Sequence, residues 1–407
     1  DIVNRTIADN AFRTYYRNIL KDFDEAKKLI AAEEDVFAED PFIKENKLQI
    51  INLLEVYTYQ RLVDIFGMVP YGEALDIENL QPTYVEGFTI YQDLITRTTD
   101  ALNNLDANYG SFGSADLYYH GDVSMWVKFA NAMKLKLGIM LSDYDAALAQ
   151  STIQDAMAGD LLASNDENTT LVYTNMPPNT NPIHEDLVLS GRKDFVAANT
   201  IVDMMNMLED PRRDAYFDVK RDTGGGNMAY IGGDYGYSSS YSNYSHVDNA
   251  IIQPDYPSTL YGYVEQQFYL AEAAARGFGG DAETYYNEAI TASFEYWGLS
   301  AADAQTYLAK PEVAYDQAEW DERIATQAWI AYYVRGFNGW TTWRRLDYPA
   351  MNMPPSPAGD CINEDLPVPV RFTFPINEQT LNADNYFQAA SAIGGDDLCN
   401  KLFWDVN

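Results

Sequence analysis

Over long stretches of this chain the apolar side chains return every three to four positions, the period of an α-helix packed on one face. In residues 11–33 that spacing is kept by Phe12, Tyr15, Tyr16, Ile19, Phe23, Ala26 and Ile30. Residues 43–66 carry two adjoining stripes, one with Leu48, Ile51, Leu62 and Ile65 and one with Val56, Tyr59, Val63 and Phe66. So wide an apolar surface predicts a helix buried between other helices. Gly67 is expected to end it and Pro70 to prevent its continuation. Helices are also predicted over 84–105, over 122–142 with its stripe Trp126, Phe129, Met133, Leu137 and Met140, and over about 194–209 and 320–335. Strands do not alternate with helices, so a parallel sheet is not expected. The fold class is mainly α.

Residues 260–276 and 281–297 read as a helical hairpin. Ala271, Ala273, Ala274 and Ala275 permit close helix contact, and Gly277, Gly279 and Gly280 supply the turn. The unit is near the size of a tetratricopeptide hairpin, although no clean internal repeat is present. Between the helical parts the pattern breaks. Asn175 through Pro182 has loop chemistry, and the Gly-rich, Tyr/Ser-rich stretch 221–258 is the least regular of all. A loop that long inside a compact protein is usually functional or disordered. After Pro349 the chain is rich in proline and short apolar pieces, with a few strands expected. The organisation predicted is one domain over 1–407. Its helical-hairpin scaffold covers about 11–160 and 260–345, wrapped by irregular segments at about 163–258 and 349–407.

Composition narrows the function. With 61 acidic against 27 basic side chains the formal charge is −34. Such a surface repels nucleic-acid phosphates and anionic lipid, which excludes general nucleic-acid binding. It suits a neutral or cationic partner. No apolar run is long enough for a membrane-spanning helix. The two cysteines, Cys361 and Cys399, lack zinc-ligand spacing. From the residues alone they are either two buried thiols or one bridge.

The signatures of catalysis are thin. His120, His184 and His246 are the only histidines, and none has a partner at zinc-protease spacing, although His184-Glu185 begins like one. No nucleophile elbow, phosphate-binding loop or dinucleotide fingerprint occurs. A glycosidase needs only two carboxylates, and 61 acids make chance pairs uninformative. The reading is a binding protein and no catalytic residue is assigned. No cofactor is expected, although structural calcium at an acid-rich loop is compatible with hard oxygen ligands.

Sugar binding needs flat aromatic faces edged with hydrogen-bonding groups. Tyr230, Tyr235, Tyr237, Tyr241 and Tyr244, interleaved with Asp234, Ser238, Ser239 and Asn243, have that composition. Tyr235, Tyr237 and Tyr241 lead as stacking residues, because no helical stripe claims them; the alternative is a tract packed on the protein itself. Trp340 and Trp343 beside Arg344 and Arg345 form a second candidate, for which packing is the favoured reading.

Five stretches, in order along the chain, resemble the SusD/RagB-like family. They are Phe66-Gly67-Met68-Val69-Pro70-Tyr71 with Glu73-Ala74-Leu75; Leu270-Ala271-Glu272-Ala273-Ala274 with Arg276-Gly277; Glu322-Arg323 through Trp343-Arg344-Arg345 to Tyr348-Pro349; Arg371, Phe374-Pro375, Glu378, Asn382 and Asn385-Tyr386; and Gly394-Gly395-Asp396-Asp397 with Trp404-Asp405. The resemblance implies a helical fold with tetratricopeptide-like pairs. It also implies a cell-surface, lipid-anchored outer-membrane protein of Bacteroidetes that captures nutrient, commonly oligosaccharide, for a SusC-like TonB-dependent transporter. A peptide-binding or structural lid on the same kind of transporter is the alternative, and a glycoside hydrolase a more distant one. Membrane attachment is expected only through a lipid anchor that these 407 residues do not carry. The motifs themselves are expected to be scaffold. The oxidising compartment implied by the family, with the isolation of Cys361 and Cys399 in one irregular segment, leads us to expect them paired.

Overall fold

A computed structural model describes residues 6–32, 40–354, 361–363 and 365–407. Helices dominate, and the chain divides into two compact units, residues 1–161 with 357–407 and residues 162–356.

In the first unit α1 runs as three consecutive segments, Ile7–Arg13, a π-helical Thr14–Leu20 and Lys21–Ala31. Helix α2 spans Pro41–Phe66. The Asp40 side chain caps it by accepting from Phe42 N–H, and Pro41 stands where no helical N–H is needed. From Val56 to Phe66 almost every α2 residue is buried, which is why its apolar residues form no single stripe. Gly67 ends it at φ +84°, and a Cβ there would meet the Leu402 side chain at 2.9 Å. Val69–Pro70 then pairs antiparallel with Tyr84–Val85. Helices α3 (Gly87–Asn104), α4 (Val123–Met140) and α5 (Ala146–Ala158) follow, with α3 packed on α2 and on α4, and α5 on α4. Gly138 permits the α4–α5 approach, since a Cβ there would lie 2.7 Å from the Ile153 side chain.

In the second unit α6 is Asn199–Met207, shorter at its start than the predicted 194–209. Backbone pairing explains the difference. Ala198 bridges Gly233, with Asn199 N–H donating to Gly233 O and Gly233 N–H to Ala197 O, each at 2.8 Å, so residues before Asn199 are held extended. Helices α7 (Tyr263–Ala275) and α8 (Ala282–Tyr296) form the predicted hairpin. Its turn uses Gly277 at φ +82°, Gly279 at +137° and Gly280 at +87°, and Asp281 caps α8 by accepting from Thr284 N–H at 2.8 Å. Helix α9 (Ala301–Leu308) packs on α8; α10 (Trp320–Ala331) packs on α7 and on α11 (Gly336–Leu346). A shared core joins Tyr216, Phe268, Tyr286, Phe294, Tyr307 and Ile324.

The C-terminal part departs from expectation. Among the described residues after Pro349 none lies in a strand, and Ala383–Ala392 is helical. The minor β structure is instead a set of two-stranded ladders, of which Thr169–Leu171 with Ser258–Tyr261 is the longest. Helices α5, α9 and α11 were not predicted as separate elements. Their stripes are short or, in α11, interrupted by polar residues that bury by pairing.

The motif residues are scaffold built from buried charge. Glu272 on α7 accepts from both terminal nitrogens of Arg345 on α11 at 2.7 and 2.6 Å, and from Arg276 at 3.0 Å. Burial alone would raise the Glu272 carboxyl pKa; Arg345 and Arg276 hold it below its ordinary value. Glu265 on α7 is also buried and pairs with Arg335. In the first unit Arg371 donates to Asp396 at 3.0 Å, and Asp396 also accepts from Phe374 N–H at 2.9 Å. Cys361 and Cys399 are joined by a disulfide with Cα atoms 6.2 Å apart.

Candidate functional site

The Tyr/Ser tract is a surface segment of the second unit, fastened at both ends. At its start Gly232 and Gly233 lie against the head of α6; a Cβ on Gly232 would come within 2.4 Å of Asn199 Cα, and one on Gly233 within 2.6 Å of Ser239 Oγ. At its end Ser245 ties three chain segments together. Its carbonyl accepts from Ala197 N–H at 2.9 Å, its N–H donates to Ile231 O at 2.8 Å, and its hydroxyl donates to Val219 O at 2.9 Å. The ring of Tyr241 stacks on His246 with centroids 3.6 Å apart, and Arg221 donates to Tyr244 O at 2.8 and 3.0 Å.

The predicted ligand residues therefore fall into three places. Tyr230 is in the core, packed against Phe217 with its hydroxyl donating to Asp214 at 2.7 Å. Tyr241 and Tyr244 are half-buried around His246 and Arg221, and Asn243 is exposed beside them, accepting from Ser242 Oγ. Tyr235 and Tyr237 remain at the surface, 36% and 62% exposed, on a turn closed by Tyr237 N–H donating to Asp234 O.

Around that turn the structure gathers polar groups from distant sequence. Asn199, the first residue of α6, is their hub. Its Oδ1 accepts from Tyr235 N–H at 3.3 Å and from Asn352 Nδ2 at 3.1 Å, and its Nδ2 donates to Asp234 at 3.3 Å. One turn along α6, the exposed Asp203 has its carboxyl pKa raised, first by partial burial and then by the charge of Asp234. Burial likewise raises the Tyr235 hydroxyl pKa. Two flat rings edged by amide and carboxylate groups can stack on the C–H face of a ring and hydrogen-bond its edge hydroxyls. Asn199, Asp203 and Asn352 escape the sequence reading because Asn352 lies far along the chain from the residue it touches, and nothing local marks it.

The other candidates are packed. Arg344 lies 3.6 Å from the Trp340 ring centroid, while Trp343, Arg344 and Arg345 are all buried. His184 Nδ1 is 2.8 Å from Ile252 O, a loop anchor. Among the described residues one cluster of three possible metal-ligating groups occurs, Cys361, Asp397 and Cys399, and its two sulfurs are bonded to each other.

A family model described as starch-binding associating with outer membrane matches residues 1–375. The chain belongs to this SusD-like family. Solved structures agree along nearly all of it. A chitin-binding protein matches with 27% identity and a TM-score of 0.85 over 98% of this chain and 88% of that one. A SusD-like protein from Bacteroides thetaiotaomicron matches with 26% identity and a TM-score of 0.81 over 98% and 87%. A chitin-binding SusD homolog from Flavobacterium johnsoniae matches at 24% and 0.83 over 97% and 86%. Comparison with curated proteins finds no match. Among the described residues no helix is long and apolar enough to cross a membrane.

Proposed function

We propose that this protein is a non-catalytic, surface-exposed glycan-binding protein of the outer membrane, lipid-anchored, which captures oligosaccharide for a SusC-like TonB-dependent transporter. The observation that carries the reading is the Tyr235–Tyr237 turn, two exposed rings edged by Asn199, Asp234 and Asn352, in a chain of a family described as starch-binding. Exposed tyrosines held on a fixed backbone lose little freedom when a sugar ring stacks on them. The chitin-binding relative at 27% identity supports a polysaccharide of the same broad kind as ligand.

The test is a glycan array followed by titration of the best oligosaccharide against Tyr235→Ala/Tyr237→Ala. Two stacked rings lost should weaken binding by about 2 kcal/mol, about thirtyfold in Kd, with the thermal midpoint unchanged. Undiminished affinity in the double variant would remove this turn as the site. Absence of any bound glycan, with release of reducing ends from a polysaccharide, would replace the binding reading by an enzymatic one.

A further inference from the structure

A second concave surface lies at the far end of α6. Met204 and Met207 on α6, Leu208 just past it, Tyr286 on α8, and Tyr348 with Pro349 line an open cleft of about 500 Å³. Met207 is 75% exposed, a large apolar side chain facing water. Methionines are unbranched and polarizable, and they mould to varied apolar partners.

The rim is acidic. Glu312 and Glu322 line the cleft. The Tyr348 hydroxyl pKa is raised first by burial and then by the charges of Asp321, Glu322, Asp347 and Glu319. The cations there are turned to the scaffold. Lys310 donates to Leu208 O at 2.8 Å and lies 3.3 Å from a Glu209 carboxylate oxygen. Arg323 donates to Glu319 at 2.9 Å and also to the Glu312 carbonyl. Glu209 and Glu319 thus engage the two cations, while Glu312 and Glu322 line the cleft as exposed carboxylates.

We propose that this cleft docks a basic, amphipathic peptide segment of a partner protein, its apolar side chains on the methionine floor and its lysines or arginines on the carboxylate rim. Long basic side chains lay their methylene stems on apolar surface and carry their charge outward, which matches a floor of one kind ringed by groups of the other. A neutral oligosaccharide gains nothing from the net charge, and a hydrated cation gains nothing from the apolar floor. The site is separate from the Tyr235 turn and does not rest on it.

The probe is a fluorescent peptide of about 14 residues with leucine and lysine at helical spacing. Its anisotropy is read at about 50 and about 300 mM salt. The expected result is one saturable site, weakened by salt. Glu312→Lys/Glu322→Lys should weaken it about tenfold or more, and so should Met207→Asp at an exposed position that folding does not need. The control is Glu25→Lys/Asp100→Lys, the same charge reversal at exposed positions of the first unit. It should shift Kd less than about twofold. Equal weakening by the control would reduce the binding to general attraction by an acidic surface and overturn the proposal. So would parent-like affinity in both cleft variants. Loss of glycan binding in Met207→Asp, with the peptide still bound, would make the cleft a sugar subsite and overturn it too.

Discussion

Glu272 shows how one residue type changes meaning with its surroundings. In sequence it is one acid among 61; in the fold it is buried between Arg345 and Arg276. Removing the charge of one partner leaves a buried guanidinium uncompensated, so Glu272→Gln should cost about 3–5 kcal/mol by urea unfolding. The pH dependence follows from the depressed carboxyl pKa. The unfolded chain binds the proton more readily, so the contribution is complete above the ordinary glutamate value and is lost as pH falls through the lower folded value. Unfolding of the parent from neutral pH into the acid range should therefore steepen below that ordinary value, and Glu272→Gln should remove part of the slope. A variant with parent stability at neutral pH would show the pair to be dispensable. The tyrosines make the same point. Tyr230 and Tyr235 look alike in sequence, and only the fold sends one to the core and the other to the surface.

At the scale of elements, caps and stops were the most legible features. Gly67 ends α2 where predicted, and the three glycines make the α7–α8 turn. These are backbone requirements, written locally. Gly277→Ala must hold a left-handed φ of +82° but meets no neighbour, and should cost about 1–2 kcal/mol. Gly280→Ala at φ +87° also drives a Cβ to 2.4 Å from the Tyr285 ring, so it should be the more destabilising of the two. Differential scanning calorimetry of both variants checks the order, and a reversed order would show the Tyr285 ring to yield freely. The start of α6 was not legible, because a strand-like bridge to Gly233 overrides its helical pattern. Nor was α11 as a separate helix, although packing was the favoured reading of Trp343, Arg344 and Arg345, which are buried.

In the whole molecule, the Cys361–Cys399 bridge closes a loop of 38 residues within the first unit. In the chain-entropy model its loss costs about 3–4 kcal/mol. Reduction should lower the thermal midpoint by several degrees while leaving sugar binding at the Tyr235 turn, in the second unit, unaffected below the new midpoint. A midpoint indifferent to reductant would show that the unfolded chain gains no freedom when the bridge opens. Periodicity, helix stops and ordered motifs are local or nearly so, and the helical class, the family and the hairpin turn are legible in them. Which tyrosines face water, that Asn199 joins Asp234, Tyr235 and Asn352, and that the motif charges neutralise one another emerge only once the chain is folded. Each of these depends on side chains brought together from far apart, and neither spacing nor composition records which distant groups a fold will place in contact.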